Sequence, residues 1–441
     1  MSSRTSIERG LAWVYDQITG DEDARVCKDI PDEACSDQPR NFLSYLVANL
    51  LNKISDELVS ARLTLPWLFS ALGVPASFSG FIVPVREAGV LLPQLVVAAY
   101  VRSMPRRKIV WYAGAVLSAM MLFLMSVVAW QSGGVMAGWL LLVCLIFYSL
   151  ARGLCSVSAK DVLGKTISKT RRGRVMGTSV ALSGVATIGI GLLLQSELLT
   201  GSELAPLLVF LVVAGLLWLM ALLSFMLIIE PEGSTEGGGN ALGEALRSLR
   251  LVIDDRPFRQ YLVSRILLLS VALVPPFYVI LVQQHLQGEL SALGWLIIAG
   301  GLANSLSAPL VGKWSDHSSR NVMAAAAMLA GLVGIFTWSG IHSGHADDPH
   351  IMFIFSVFFL VSLAHGAVRL GRKVYLVDMA NADNRAQYVA VSNTVIGIAM
   401  LFGGAAGILA DIYNVQAVIL LLSLVAVISA VYTLRLADVS G

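Results

Sequence analysis

Twelve times along this chain roughly twenty or more mostly apolar residues run on without a strong break, and nothing else in the sequence constrains the fold as tightly. The stretches cover about 42–65, 76–101, 109–130, 136–158, 174–195, 204–229, 258–283, 290–313, 321–341, 351–376, 386–410 and 415–436. A helix needs about 20 apolar residues to cross roughly 30 Å of hydrocarbon. Composition agrees, with 56% hydrophobic and 14% charged residues and a mean hydropathy of +0.74, where a soluble domain is about a quarter charged. Disorder, collagen-like repeats and a disulfide scaffold are excluded by the same figures. The chain reads as an all-α, multi-pass integral membrane protein with the lipid bilayer as its solvent.

Lysine and arginine set the orientation. With both termini cytoplasmic, 25 of the 31 basic residues fall in the inner segments and none in the six outer loops. The other six (Lys53, Arg62, Arg86, Arg152, Arg265 and Arg369) lie within spans. This is the positive-inside pattern, so twelve spans with both termini inside are expected, in the inner membrane if the source is bacterial. The near-neutral net charge of +2 suggests no nucleic-acid partner. Residues 1–41 are polar and mixed in charge and do not resemble a cleavable signal peptide; the first span is expected to direct its own insertion.

The longest polar break, 230–257, opens with the Gly-rich stretch EPEGSTEGGGN and continues into a short amphipathic helix at about Ala241–Ile253. The expected organisation is therefore a tail (1–41), a six-helix bundle (42–229), a cytoplasmic linker (230–257), a second six-helix bundle (258–436) and a short C-terminal tail (437–441). A second amphipathic segment, Ile7–Ile18, is expected on the membrane surface. Cys27, Cys35, Cys144 and Cys155 show no metal-like spacing and read as free thiols. His342, His345, Asp347, Asp348 and His350 crowd one outer loop, but without a fixed ligand spacing they read as a solvated turn, and neither metal nor cofactor is expected.

The halves repeat. An offset of 213 places Lys160 on Lys373, Arg172 on Arg385, Ser179 on Ser392, Gly184 on Gly397 and Gly191 on Gly404; an offset of 216 places Phe42 and Tyr45 on Phe258 and Tyr261. Matched charges and glycines do not arise cheaply in apolar segments, so a six-helix unit has been duplicated. Two such units related by an axis along the membrane normal resemble the major facilitator superfamily. The resemblance is most specific at Gly312-Lys-Trp-Ser-Asp316-His-Ser-Ser-Arg320, similar to that family's G-x-x-x-D-x-x-G-R loop with Ser319 at the second glycine position. The loop after span two has Ala98, Arg102 and Pro105 at the corresponding glycine, acid and glycine positions. The resemblance implies a cytoplasmic latch at Gly312, Asp316 and Arg320, no enzymatic activity, and transport of a small solute by rocking of the two bundles.

Ionised groups at mid-membrane usually face a cavity or a partner, because lipid accepts them only at a cost of at least about 2.5–3.5 kcal/mol. In span one, Asn49, Lys53, Asp56 and Ser60 share one face with Glu57 at its edge, and Lys53 and Asp56 are spaced to pair. Span two adds Arg86 and Glu87, and span four Arg152, similar to an arginine of proton-coupled family members and at a depth suited to an acid from span one. Arg265, Asn304, His365 and Arg369 supply the second half. These residues are the expected solute and proton pathway, with Asp56 and Glu87 as proton carriers. The excess of basic groups favours an anionic or zwitterionic solute. A helix-locking salt bridge is the alternative role for the span-one charges. At the level of the whole protein, a non-transporting receptor or scaffold, a facilitative uniporter and a drug efflux antiporter also stay open. No GxSxG, HExxH or phosphate-binding P-loop suggests an enzyme or a nucleotide-driven pump, and a monomer is expected.

Overall fold

The computed structural model describes residues 35–92, 104–195, 203–233, 249–286, 289–343, 351–380 and 385–439, and isolated positions at 10, 14, 15, 17, 18, 30, 97, 100 and 101. All elements among the described residues are helices. In the first half they are α1 (Gln38–Leu58), α2 (Thr64–Ala71), α3 (Ala76–Leu91), α4 (Lys108–Gln131), α5 (Gly134–Thr166), α6 (Lys169–Leu194) and α7 (Leu204–Met226). The second half contains α8 (Leu251–Asp254), α9 (Arg256–Leu267), α10 (Leu269–Leu273), α11 (Pro275–His285) and α12 (Leu290–His342). It ends with α13 (Ile351–Met379), α14 (Arg385–Gly403), α15 (Ala405–Ile412) and α16 (Val415–Thr433).

Ten helices are long and apolar enough to cross a membrane among the described residues. The first two expected spans fall outside that set, and they are the ones that hold Lys53, Asp56 and Glu57, and Arg86 and Glu87. Three expected spans are broken rather than continuous. The first stops at Leu58 and resumes at Thr64. Pro66 has no N–H to offer the Arg62 carbonyl, so the turn before it cannot close as α-helix. In the seventh, Pro275 and Pro276 open a new helix after the Leu269–Leu273 piece. The eleventh is interrupted at Gly404. Conversely, the expected loop around residues 312–320 shrinks to one non-helical residue, Ser318, whose φ/ψ of −161°/94° separates the two spans of α12.

The repeat is visible in hydrogen bonds. Tyr45 Oη donates to the Ala159 carbonyl at 3.3 Å, and Tyr261 Oη donates to the Arg372 carbonyl at 2.8 Å. Asn49 Nδ2 donates to Ser179 Oγ at 2.7 Å, and Arg265 Nη1 donates to Ser392 Oγ. Every member of one pair stands 213 or 216 residues from its counterpart in the other, so the same joints tie the first helix of each half to its fourth and fifth. Phe42 and Phe258 are both fully buried beneath these joints.

Tyr15 in the N-terminal tail is buried, edge-on to Phe42 at 5.2 Å, with its Oη accepting from Gln38 Nε2 at 2.6 Å. The expected surface helix Ile7–Ile18 is therefore anchored to the bundle at this residue; most of it, like residues 241–248 of the linker helix, lies outside the described residues. Cys35 is disulfide-bonded, while Cys144 and Cys155 are free and buried. The expectation of four free thiols is thus corrected at Cys35, because ligand-type spacing carries no information about pairing within a polar tail.

Candidate functional site

Asp56 sits on the last turn of α1, just before the break that Pro66 imposes. Its carboxylate is gripped from two other helices. Arg86 of α3 donates to Oδ1 at 3.0 Å, Arg152 of α5 pairs with Oδ2, and Tyr148 Oη donates to Oδ1 at 3.2 Å. Both guanidiniums also lie against rings, Arg86 5.2 Å from the Tyr148 centroid and Arg152 4.7 Å from that of Trp218. Such stacking suits arginine, whose planar cation is weakly hydrated. One carboxylate against two guanidiniums leaves the cluster with a net positive charge in a region of low dielectric. The expected Lys53–Asp56 pair does not form among the described residues; two arginine forks out-compete a single ammonium on the same helix face.

Three chambers of about 300, 410 and 500 Å³ meet between the two halves. The first is walled by Asp56, Glu57, Arg62, Arg86 and Glu87 on one side and Asn304 and His365 on the other. The second is lined by Lys53, Glu57, Asn304 and Lys373, the third by Lys160, Glu87, Arg265, His365, Arg372 and Lys373. Arg369 lines all three. Arg62 faces Glu87 at 3.9 Å, a long and weak pairing.

The structure thus brings Lys53, Asp56, Glu57, Arg86, Glu87, Arg265, Asn304, His365 and Arg369 to one cavity. It leaves Asn49 in the α1–α6 joint and Arg152 behind Asp56, off the cavity wall. Four charged wall residues were not assigned to the pathway by sequence reasoning: Arg62, Lys160, Arg372 and Lys373. Lys160 and Lys373 had a signal, since each is the repeat counterpart of the other. Tyr148 and Trp218, which brace the arginines, had none, because aromatic residues are ordinary in apolar helices.

At the end of the bundle that carries the 72–75 connection, the halves are in close contact. A Cβ on Gly407 would lie 2.6 Å from the Ser77 carbonyl oxygen, and one on Gly294 would lie 2.6 Å from that of Gly191. Asp411 accepts from the Ser77 backbone N–H at 3.0 Å, so a second-half carboxylate caps α3. Gln283 donates to the Trp67 carbonyl at 3.3 Å and to Glu203.

At the opposite end, two joints hold each half. Arg320 donates to the Leu436 carbonyl at 2.9 Å and pairs with Asp438 at 3.1 Å. The side chain of Asp316 lies outside the described residues, and a Cβ on Gly312 would meet nothing within 4 Å. The first half, whose loop departs from the family pattern, builds its joint with Glu230. That buried carboxylate accepts from the backbone N–H groups of Arg107 at 3.0 Å and Lys108 at 2.9 Å, and from Lys165 Nζ at 3.0 Å. It caps the N-terminus of α4, where orphan N–H groups and the helix dipole favour an anion. Arg107, next to the loop position that corresponds to Arg320, pairs with Asp161 at 3.3 Å.

A polytopic helical bundle enclosing a charged, multi-chambered cavity between its halves is the architecture of a membrane transporter. Residues 261–440 match the sequence model of the Major Facilitator Superfamily. No curated protein matches the chain in sequence. In fold it is similar to the nucleoside transporter NupG (12% identity, 89% of this chain and 98% of that chain, TM-score 0.67). A POT family transporter in complex with 5-aminolevulinic acid is similar too (14% identity, 93% and 98%, TM-score 0.69), as is a D-xylose-proton symporter (14% identity, 91% and 98%, TM-score 0.67). At these identities the likeness is one of fold. The second half thus carries the sequence pattern of the Major Facilitator Superfamily, the fold is shared with these transporters, and ten helices long and apolar enough to cross a membrane among the described residues make the chain an integral multi-pass membrane protein.

Proposed function

We propose that the chain crosses the membrane twelve times with both termini cytoplasmic, as bundles 42–229 and 258–436. It would move a small anionic or zwitterionic solute by alternating access with protons as the coupling ion. The observation that carries this reading is Asp56, a carboxylate gripped by two arginines of different helices at the cavity edge. While ionised it binds Arg86 and Arg152 and holds α1, α3 and α5 together. On taking a proton it loses charge, both pairings weaken, and a guanidinium becomes available to a solute anion. One site thereby reads both the proton and the solute, and only the loaded or the empty state allows the halves to rock.

With the termini inside, the closed end at Gly407 and Gly294 is the outer one, and this conformer faces the cytoplasm. A proton symporter among the structural neighbours supports the coupling ion. The test is uptake into proteoliposomes under an imposed pH gradient. The reading expects the transported solute to accumulate above equilibrium, and the gradient of solute to collapse on adding a protonophore. Equilibration alone, indifferent to protonophore, would contradict it.

A further inference from the structure

The repeat permits a comparison of what each half needs for its scaffold with what it carries in addition. Asn49 is enough to make the α1–α6 joint with Ser179. At the matched position the second half has Arg265, which makes the same bond to Ser392 and a further one to Asn393 at 3.3 Å. Arg265 is only 6% exposed, and its Nε has no partner. Arg369 stands where the first half has Ser156, and Arg372 where it has Ala159, whose carbonyl serves the same tyrosine bond. The scaffold therefore accounts for none of these three positive charges.

All three guanidiniums line the 500 Å³ chamber, with Lys160 and Lys373 facing it from the two halves. The one carboxylate on that wall, Glu87, lies 3.9 Å from Arg62, a further cation of the same chamber. His365 is 8% exposed, and its Nε2, like the Nε of Arg372, has no partner. Like charges gathered in a partly desolvated space repel one another, and unpartnered buried donors are costly. Both costs are removed by a ligand with two negative charges and several acceptor oxygens, which arginine forks bind bidentately.

We propose that this chamber is a built site for an organic dianion, a phosphomonoester or a dicarboxylate, held by Arg265, Arg369, Arg372 and Lys373. This rests on the transport reading for its biological use, but the site itself does not. A monoanion would leave most of the charge uncompensated. The ammonium group of a zwitterion would find a single carboxylate, Glu87, among the cations of this wall.

The experiment is a binding panel on the detergent-purified full chain, by thermal shift and calorimetry. The ligands are inorganic phosphate, glycerol phosphate, succinate, acetate and glycine. The expected result is that glycerol phosphate or succinate binds at least about tenfold more tightly than acetate and glycine. That preference should shrink at least about tenfold in Arg265→Asn, which keeps the joint in the form the first half uses, and in the cavity-exposed Lys373→Gln. The phosphate and succinate arms separate phosphoryl from carboxyl recognition. Equal or tighter binding of acetate or glycine, no binding by any ligand, or dianion binding untouched by both variants would each overturn the proposal. Glycine accumulated under a pH gradient would overturn the dianion site while sparing the transport reading. Tight dianion binding with no uptake of any solute would do the reverse.

Discussion

The two walls of the cavity are built on one duplicated frame and carry different chemistry. The first half mixes signs, with the carboxylates of Asp56, Glu57 and Glu87 beside Lys53, Arg62, Arg86 and Lys160; the second half contributes Arg265, His365, Arg369, Arg372 and Lys373 and no acid. Tyrosine-to-carbonyl and side-chain-to-serine bonds recur in both halves at the repeat spacing. Duplication thus preserved the bonds that position the helices, and Lys160 with Lys373 on the cavity wall, while most other charged residues facing the space between the halves differ. On this account the first half takes the proton and frees a guanidinium, and the second half supplies most of the cations that hold the anion.

The largest effect is expected at Arg152→Gln. Removing one charged partner of this part-buried carboxylate costs about 1.5–3 kcal/mol, and Arg152 also stacks on Trp218. A strongly lowered unfolding temperature in detergent is the expected outcome; an unchanged one would place the weight of the clamp on Arg86 alone. Next, copying the first half into the second with Arg265→Asn should lower dianion affinity about tenfold, or ~1.4 kcal/mol, with little loss of stability. Asn49→Arg, the reverse change, forces a cation against Met176 and Ser179. It should destabilise the bundle and gain no binding, measured by the same two assays.

Gly407→Val inserts bulk where a Cβ already meets backbone at 2.6 Å. It should prise the closed end apart and shift the population toward the other conformer, read as increased labelling of a cysteine placed at Ser77. Glu230→Gln removes a charge from two backbone donors and Lys165 and should cost about 1–3 kcal/mol. Its second-half counterpart, Arg320→Ala, breaks a pair with Asp438 that is more exposed and should cost under about 1 kcal/mol from the ion pair. Equal losses at the two would show that these joints are equivalent after all.

How much of this was legible beforehand follows from which forces act over short sequence distances. Ten of the spans, the repeat and most of the charged residues of the cavity can be read from hydropathy and matched spacing, since a bilayer punishes polar groups locally. The breaks at residues 59–63 and before Pro275 were readable in principle from Pro66, Pro275 and Pro276, but proline is common enough in spanning helices to be passed over. Partner choice was legible only in part: the depth of Arg152 suited an acid of span one, and it pairs with Asp56, but Arg86 was not foreseen as the second partner. Lys53 lies three residues from Asp56 and looks like its mate, whereas the arginines that hold Asp56 arrive from 30 and 96 residues away. Glu230 lay in a polar linker and gave no sign that it would be buried beneath α4.

The central claim is that Asp56 couples the proton to the solute while the second half binds the solute, and Asp56→Asn isolates it. In proteoliposomes loaded with the best-binding solute of the panel, this variant should still exchange labelled for unlabelled solute across the membrane, yet fail to accumulate it under a pH gradient. Accumulation equal to that of the unaltered protein would contradict the account.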